Sequence, residues 1–307
     1  MKIGLHGGSL VVMGQSVAEM VEHARTAEAE GFDSYWLPQL QIPDALTAFG
    51  PIGSATSTIE LGTAVIPTWV RHPLMLAAQA LTVQEIIGNR LALGIGLAHR
   101  TIVEDNLGMA FAKPAKHMEE YLAVLLPALR ERAVDVDGEF WSGHVEPMPG
   151  LTAATPPAVL IAAMGPRMLR LAAERTDGVV LWLSGPRAIA DHVVPSLTAA
   201  RPADAPPARV VASMPVCVTS DADGVRGMIA MLLAGYNDLP SYRGVMDLEG
   251  AAGPADVSIV GDEDAVRVEI ERYAEAGVTD FAPVEFVLDP ESAARTRALL
   301  RSVIDGS

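Results

Sequence analysis

Eight short apolar runs recur along this chain at intervals of roughly 20 to 70 residues. They are Lys2–Leu5, Ser34–Leu37, Leu61–Ile66, Leu91–Ile95, Val159–Ala163, Gly178–Leu183, Val210–Thr219 and Thr279–Pro283. Most are apolar throughout rather than alternating, the pattern of strands buried on both faces. Between them lie segments of helical period. In the first, Val17, Met20, Val21, Ala24 and Ala27 fall on one face, Ser16 is placed to cap the start, and Gly31 ends it. Strands alternating with helices predict a parallel sheet with right-handed crossovers. Eight such units in 307 residues predict a closed (β/α)8 barrel, the TIM barrel, with insertions rather than an open doubly wound sheet. The expected organisation is one domain over 1–307. Residues 133–157 read as a hairpin insert, 100–113 as a loop, and 236–258, rich in Gly and Pro, as an irregular insert.

In a barrel of this kind the chemistry gathers at the C-terminal ends of the strands. The stretch Leu61–Arg100 places Thr68, Trp69, Arg71 and His72 after one strand, and Gly96, Ala98, His99 and Arg100 after the next. The other strand ends offer His6, Gln39, Gly165, Arg167, Ser184 and Glu285. Gly165-Pro166-Arg167 has the makings of an anion site. Glycine admits close approach, proline is tolerated at a first helical position, and the helix start carries partial positive charge. An ordinary turn with a solvated arginine is the plainer alternative. Gly94-Ile95-Gly96 lacks the third glycine of a dinucleotide fingerprint, and suggests close backbone approach to a planar ligand. His99 is placed to donate a proton or hydrogen bond; a structural histidine is the alternative. His72, before Pro73, shapes a helix start, and His117 and Tyr121, four apart, read as packing. No metal spacing, P-loop or nucleophile elbow is present.

The formal charge of −16, with no Lys/Arg cluster, argues against a nucleic-acid partner. The single cysteine, Cys217, lies in an apolar run, and a reducing cytoplasm fits it. The first residues lack the features of a signal peptide, and no uninterrupted apolar stretch is long enough for a membrane span.

Two longer stretches carry a family resemblance. PTWVRHPLMLAAQALTVQEIIGNRLALGIGLAH and AAMGPRMLRLAAERTDGVVLWLSGP resemble the bacterial luciferase-like flavin and deazaflavin oxidoreductases. The tail YRGVMDLEGAAGPADVSIVGDEDAVRVEIERYAEAGVTDF is similar to the actinobacterial subgroup that uses coenzyme F420. The resemblance spans nearly the whole chain. It implies a homodimeric barrel that binds F420, with FMN as the alternative cofactor, and a small-molecule substrate. It also implies a non-prolyl cis peptide at Ala64–Val65 behind the cofactor ring, with Thr68, Gly96 and Ala98 nearby. Met164, Gly165, Arg167 and Met168 match the family's phosphate site, and His99 falls beside the ring as the catalytic residue. Members that oxidise sugar phosphates have an Asp-His pair where this chain has Gln39 and Leu40, and phosphate-holding residues near Leu183 and Pro186. That substrate class is therefore not expected. The implied activity is F420-dependent hydride transfer to or from a small organic molecule. A flavin-dependent monooxygenase and a non-catalytic cofactor-binding protein are the alternatives.

Overall fold

The computed structural model describes residues 1–147, 150 and 153–306. Residues 148, 149, 151 and 152, within the insert 133–157, lie outside it. The strands are, in order, β1 (Lys2–Ile3), β2 (Leu5–His6), β3 (Ser34–Leu37), β4 (Glu60–Thr63), β5 (Ile66–Pro67) and β6 (Leu91–Gly96), then a hairpin of β7 (Val134–Val136) and β8 (Gly143–Val145). They continue as β9 (Ala158–Ala162), β10 (Gly178–Trp182), β11 (Arg209–Ser213), β12 (Pro215–Val218), β13 (Ile259–Gly261), β14 (Asp280–Phe281) and β15 (Val284–Glu285).

The main sheet runs β1-β14-β11-β10-β9-β6-β4-β3-β2, with β5 against β6. Every pairing in it is parallel. Because β1 and β2 are separated by Gly4 alone, the two ends of that order meet in one stave. The result is a nearly closed barrel of eight staves surrounded by helices, as the alternation predicts. Several staves are interrupted. Gly4 divides the first, Ala64–Val65 the third, and Met214 the run Val210–Thr219. Beyond Met214, β12 leaves the main sheet and joins β13 and β15 in a second, three-stranded parallel sheet.

Side chains alternate across a strand, so every second residue enters the lumen. Trp36, Ala92, Leu160, Val180, Val211 and Ala282 form a buried cluster there, with Ala64 and Val65 packed on it. Trp36 is the large member. Gly62 is glycine for its sake, since a Cβ there would lie 2.2 Å from the indole. The indole Nε1–H donates to Ser34 Oγ at 2.8 Å. At the N-terminal end of the lumen Arg209 donates to both Glu60 and Asp280, joining β11, β4 and β14.

The helices start where capping chemistry directs. Ser16 and Glu19 form a capping box at Val17–Ala29. Asp44 caps Ala45–Ala55 and Asp262 caps Glu263–Glu275. His72 caps Pro73–Ile86, its Nδ1 accepting from Leu74 N–H, so it does shape that helix start. Two expectations are corrected. The segment 236–258 is mostly helical, with helices Pro240–Glu249 and Pro254–Val257, Gly250 ending the former at φ +75°. The loop after Arg100 contains a π-turn, Ile102–Asn106. The helix that opens at Pro186 is π-wound over Ile189–Val193, just before Pro195, which has no N–H to continue the ladder.

Candidate active site

The C-terminal end of the barrel is shaped first by the break between β4 and β5. The Ala64–Val65 peptide bond is cis, and Val65 turns toward β6. A Cβ on Gly94 would lie 2.0 Å from the Thr63 carbonyl oxygen, and one on Gly96 would lie 2.5 Å from Val65 Cγ2 and 3.1 Å from Ala162 Cβ. The close approach that these glycines permit is thus made by the chain's own bulge. Hydrogen bonds fix the bulge against β6. Thr63 Oγ1 donates to the Gly94 carbonyl at 2.8 Å. Thr68 N–H and Oγ1 both engage the Gly96 carbonyl, at 2.9 and 3.2 Å.

Thr68 is fully buried, and its hydroxyl also meets His117 Nε2 at 2.9 Å. The indole of Trp141, from the hairpin insert, donates to His117 Nδ1 at 3.2 Å. An indole can only donate, so Nδ1 is the acceptor and the neutral ring carries its proton on Nε2. His117 therefore donates to Thr68, which donates to Gly96. Burial pushes the His117 pKa down to about 4, which keeps that tautomer in place. Trp69 stacks on the same imidazole, with centroids 3.7 Å apart. His117 and Tyr121 are packed, as expected, but His117 is also a strut between the insert and the strand end.

Next to this strut Ala98 holds φ +55°, a left-handed conformation that costs a side-chain-bearing residue about 1–2 kcal/mol. It turns the chain so that His99 projects beside two tyrosines. His99 stands edge-on to Tyr236 at 5.8 Å and Tyr242 at 5.7 Å. Tyr236 in turn meets Trp182, at the end of β10, at 6.5 Å, and Trp182 stacks with His6 at 6.4 Å. Burial lowers the pKa of His99, and that of His6 to about 4. His6 Nδ1 accepts from Gly8 N–H at 3.0 Å. Trp182, Tyr236 and Tyr242 were not singled out from sequence. The tyrosines lie on the insert read as irregular, and only its helical folding brings them over the barrel mouth. Met246, from the same insert, is fully buried.

A third cluster follows β9. Gly165 caps the helix Pro166–Arg175 with no side-chain partner, and a Cβ on it would meet nothing within 4 Å. Among the described residues, Arg167 makes no ion pair or side-chain hydrogen bond, and the backbone N–H groups of Arg167 and Met168 have no acceptor. Met168, on that helix, packs partly buried against the main hydrophobic core. The Met164 carbonyl accepts from His192 Nε2 at 2.8 Å. Free N–H groups, an open glycine and an unpaired guanidinium are what an anion needs.

Other strand-end residues are engaged elsewhere. Gln39 Oε1 accepts from Ala45 N–H at 2.8 Å. Arg71 pairs with Asp44 and with Gln79. Burial pushes the Glu285 carboxyl up, but its pair with Arg297 outweighs this and holds the pKa at about 2. Leu183 is fully buried at φ +56°. A cavity of about 680 Å³ lies against the helices after β10 and β13. Its arginines are occupied, Arg226 by the Val260 carbonyl and Arg272 by Glu269, and it touches none of the three clusters.

The family model described as luciferase-like monooxygenase matches residues 3–280. The chain belongs to this family. It is 25% identical over 292 residues to a 5,10-methylenetetrahydromethanopterin reductase of Methanolobus tindarius, covering 86% of this chain and 89% of that one. It is 33% identical over 196 residues to a Mycobacterium tuberculosis protein described as a coenzyme F420-dependent oxidoreductase, covering 60% and 55% of the two chains. Among solved structures it resembles the oxygenating constituent of 3,6-diketocamphane monooxygenase of Pseudomonas putida, a type II Baeyer–Villiger monooxygenase in complex with FMN. That likeness has a TM-score of 0.78 at 17% identity, and spans 100% of this chain and 99% of that one. As a luciferase-like family member the protein is an oxidoreductase enzyme. The described residues include no helix long and apolar enough to cross a membrane.

Proposed function

We propose that this luciferase-like enzyme is an F420-dependent oxidoreductase that moves a hydride between the deazaflavin and a small organic substrate. The observation that carries the reading is the open helix start at Gly165, with Arg167 unpaired, at the same barrel end as the uncharged aromatic rings around His99. F420 has both an anionic tail and a neutral ring system, and this arrangement suits both. The relative described as F420-dependent supports F420 over FMN. In this reading Gly165, Arg167 and Met168 hold the phosphate through backbone N–H groups and the guanidinium, with Met164 beside them. Ala64, Val65, Gly96 and Ala98 wall the ring, and Thr68 positions Gly96. When bound, the cofactor supplies the hydride chemistry. The chain's own residues bind, orient and exclude water. His99, neutral at pH 7, can accept a proton at a ring nitrogen when substrate is oxidised, or return one in the reverse direction.

Fluorescence titration with F420 and with FMN tests the assignment. F420 should bind at least tenfold more tightly, and Arg167→Ala should weaken it about tenfold, in line with loss of a charge-assisted contact of about 1.5–3 kcal/mol. Tighter FMN binding, with oxygen consumed by the reduced-flavin complex, would instead establish the monooxygenase reading that the likeness to the FMN enzyme favours. We further propose a cytoplasmic homodimer. The exposed Ile42, Met75 and Ile86, at 82%, 64% and 54%, on and near the helices Ala45–Ala55 and Pro73–Ile86, favour a covered face. Sedimentation equilibrium should give twice the chain mass.

A further inference from the structure

The barrel mouth has a second wall, opposite the bulge. Four aromatic side chains from three separate segments meet there: His99 after β6, Trp182 on β10, and Tyr236 and Tyr242 on the helical insert. The two tyrosine rings are 4.7 Å apart and steeply inclined, so the cluster presents both ring faces and ring edges. Beneath it the alternation of β10 and β11 fixes what points inward. Val180 and Val211 belong to the lumen cluster, so Trp182 and Ser213, two residues on and in register with each other, face the same way. Ser213 is 2% exposed and its hydroxyl has no hydrogen-bond partner among the described residues. A buried orphan hydroxyl costs about 1–3 kcal/mol. Its place under an aromatic cluster marks a position where a ligand's polar atom completes the bond.

Both arginines beside this wall are already engaged. Arg100 pairs with Glu104 at 2.7 Å, and Arg243 with Asp247 at 2.7 Å and with the carbonyls of Ala251 and Ala252. An anionic substrate would find neither guanidinium free there. Both histidines at its edges, His6 and His99, favour their neutral forms for the same reason, burial.

We propose that Trp182, Tyr236, Tyr242 and His99 form the substrate wall, and that the substrate is a neutral, flat, conjugated ring compound with a carbonyl-type acceptor that takes the Ser213 hydroxyl proton as a hydrogen bond. The proposal rests on the F420 reading for the occupant of the opposite wall. Rings of this kind stack on or pack edge-to against aromatic side chains, whereas a saturated ring of the same size cannot.

The test uses protein saturated with oxidised F420, and three probes: menadione (flat, neutral, two carbonyls), cyclohexanone (a saturated ketone) and N-methylquinolinium (flat, cationic). Calorimetry should show menadione binding at least tenfold more tightly than either other probe. Tyr242→Ala and Tyr236→Ala should weaken menadione about tenfold and leave F420 affinity within twofold, while Tyr242→Phe and Tyr236→Phe stay within threefold of the parent. Ser213→Ala should weaken menadione about fivefold. If the alanine variants do not fold, fluorotryptophan-labelled parent protein decides. The Trp182 fluorine resonance, assigned with Trp182→Phe, should move on adding menadione. Equal binding of cyclohexanone, tighter binding of N-methylquinolinium, displacement of F420 by menadione, no menadione binding, or a stationary Trp182 resonance would each overturn the proposal. If F420 itself does not bind, the titrations are run on the free protein. Menadione binding with the same Tyr and Ser dependence would then uphold this wall while the cofactor reading fails.

Discussion

Gly96 shows how one residue's missing side chain shapes the site. Its hydrogen atom lies where a Cβ would press on Val65 and Ala162. Val65 is packed on the lumen cluster and Ala162 is held in β9, so neither can yield freely. Gly96→Ala should therefore destabilise the protein by about 1–3 kcal/mol, the usual penalty for overpacking. Shortening the opposing side chain should relieve it. In urea denaturation the Gly96→Ala, Val65→Ala pair should couple by at least about 1 kcal/mol; additive effects would show that the two residues do not press on each other. His99 gives the second residue-scale expectation. Burial lowers its pKa below the ordinary 6.5, so a reaction in which it accepts a proton loses rate as pH falls through a value under 6.5. The kcat/KM profile for substrate oxidation should have an acid limb there, and His99→Asn should abolish the limb along with most of the rate. An unchanged limb in the variant would remove His99 from catalysis. The role of Gly96 beside a bulge was only half legible in the sequence. Two glycines near a strand end announce close approach, but not whether a ligand or the chain's own Val65 makes it.

At the scale of elements, local chemistry decided most boundaries. Ser16 with Glu19, Asp44, Pro166 and Asp262 stand at helix starts because each supplies a cap or a fitting first turn, and the signals at Ser16 and Pro166 were readable directly. The insert 236–258 was not. Its Gly and Pro residues read as breakers, yet Pro240 and Pro254 occupy first helical turns, and Gly250 sits after a helix end. The breakers were punctuation between short helices. With that misreading, Tyr236 and Tyr242 were lost to the site. Connections between elements can be as specific as caps. Glu28, on the first long helix, accepts backbone N–H bonds from Ser57, Thr58 and Ile59, at 2.6 to 3.0 Å, and so holds the approach to β4. Burial pushes this carboxyl up, but the three N–H groups outweigh it and set the pKa at about 2. A depressed carboxylate stabilises the fold above its unfolded value and loses that contribution as pH falls through its folded value. Glu28 should thus contribute fully above about pH 4.5 and fade toward pH 2. Glu28→Gln should cost about 1–2 kcal/mol at pH 7, allowing for partial exposure. Its deficit should shrink in denaturation curves taken toward pH 2; a deficit constant with pH would contradict the charge-assisted account.

The whole molecule divides its two ends between different tasks. The C-terminal mouth holds neutral aromatic rings, an orphan hydroxyl, a left-handed alanine and an unsatisfied helix start. These features suit a ligand more than they suit stability. The N-terminal end is closed by Arg209, whose guanidinium lies between Glu60 and Asp280 at 2.7 and 2.6 Å. Asp280 has only 4% of its side chain exposed, so without the arginine it would be a buried, uncompensated carboxylate. Removing one partner of such a group costs about 3–5 kcal/mol. The eight-stave pattern was legible because a continuous apolar run has few uses other than a two-faced buried strand. This ionic closure was not, since it joins residues 149 positions apart in sequence with no local signature. Arg209→Met should lower urea stability by about 3–5 kcal/mol while leaving F420 affinity within twofold, because no strand-end residue touches the network. Adding Asp280→Asn should recover part of the loss by removing the stranded charge. A large change in F420 affinity in a folded Arg209→Met protein would show that the two ends are mechanically coupled, and would contradict the division of labour argued for this barrel.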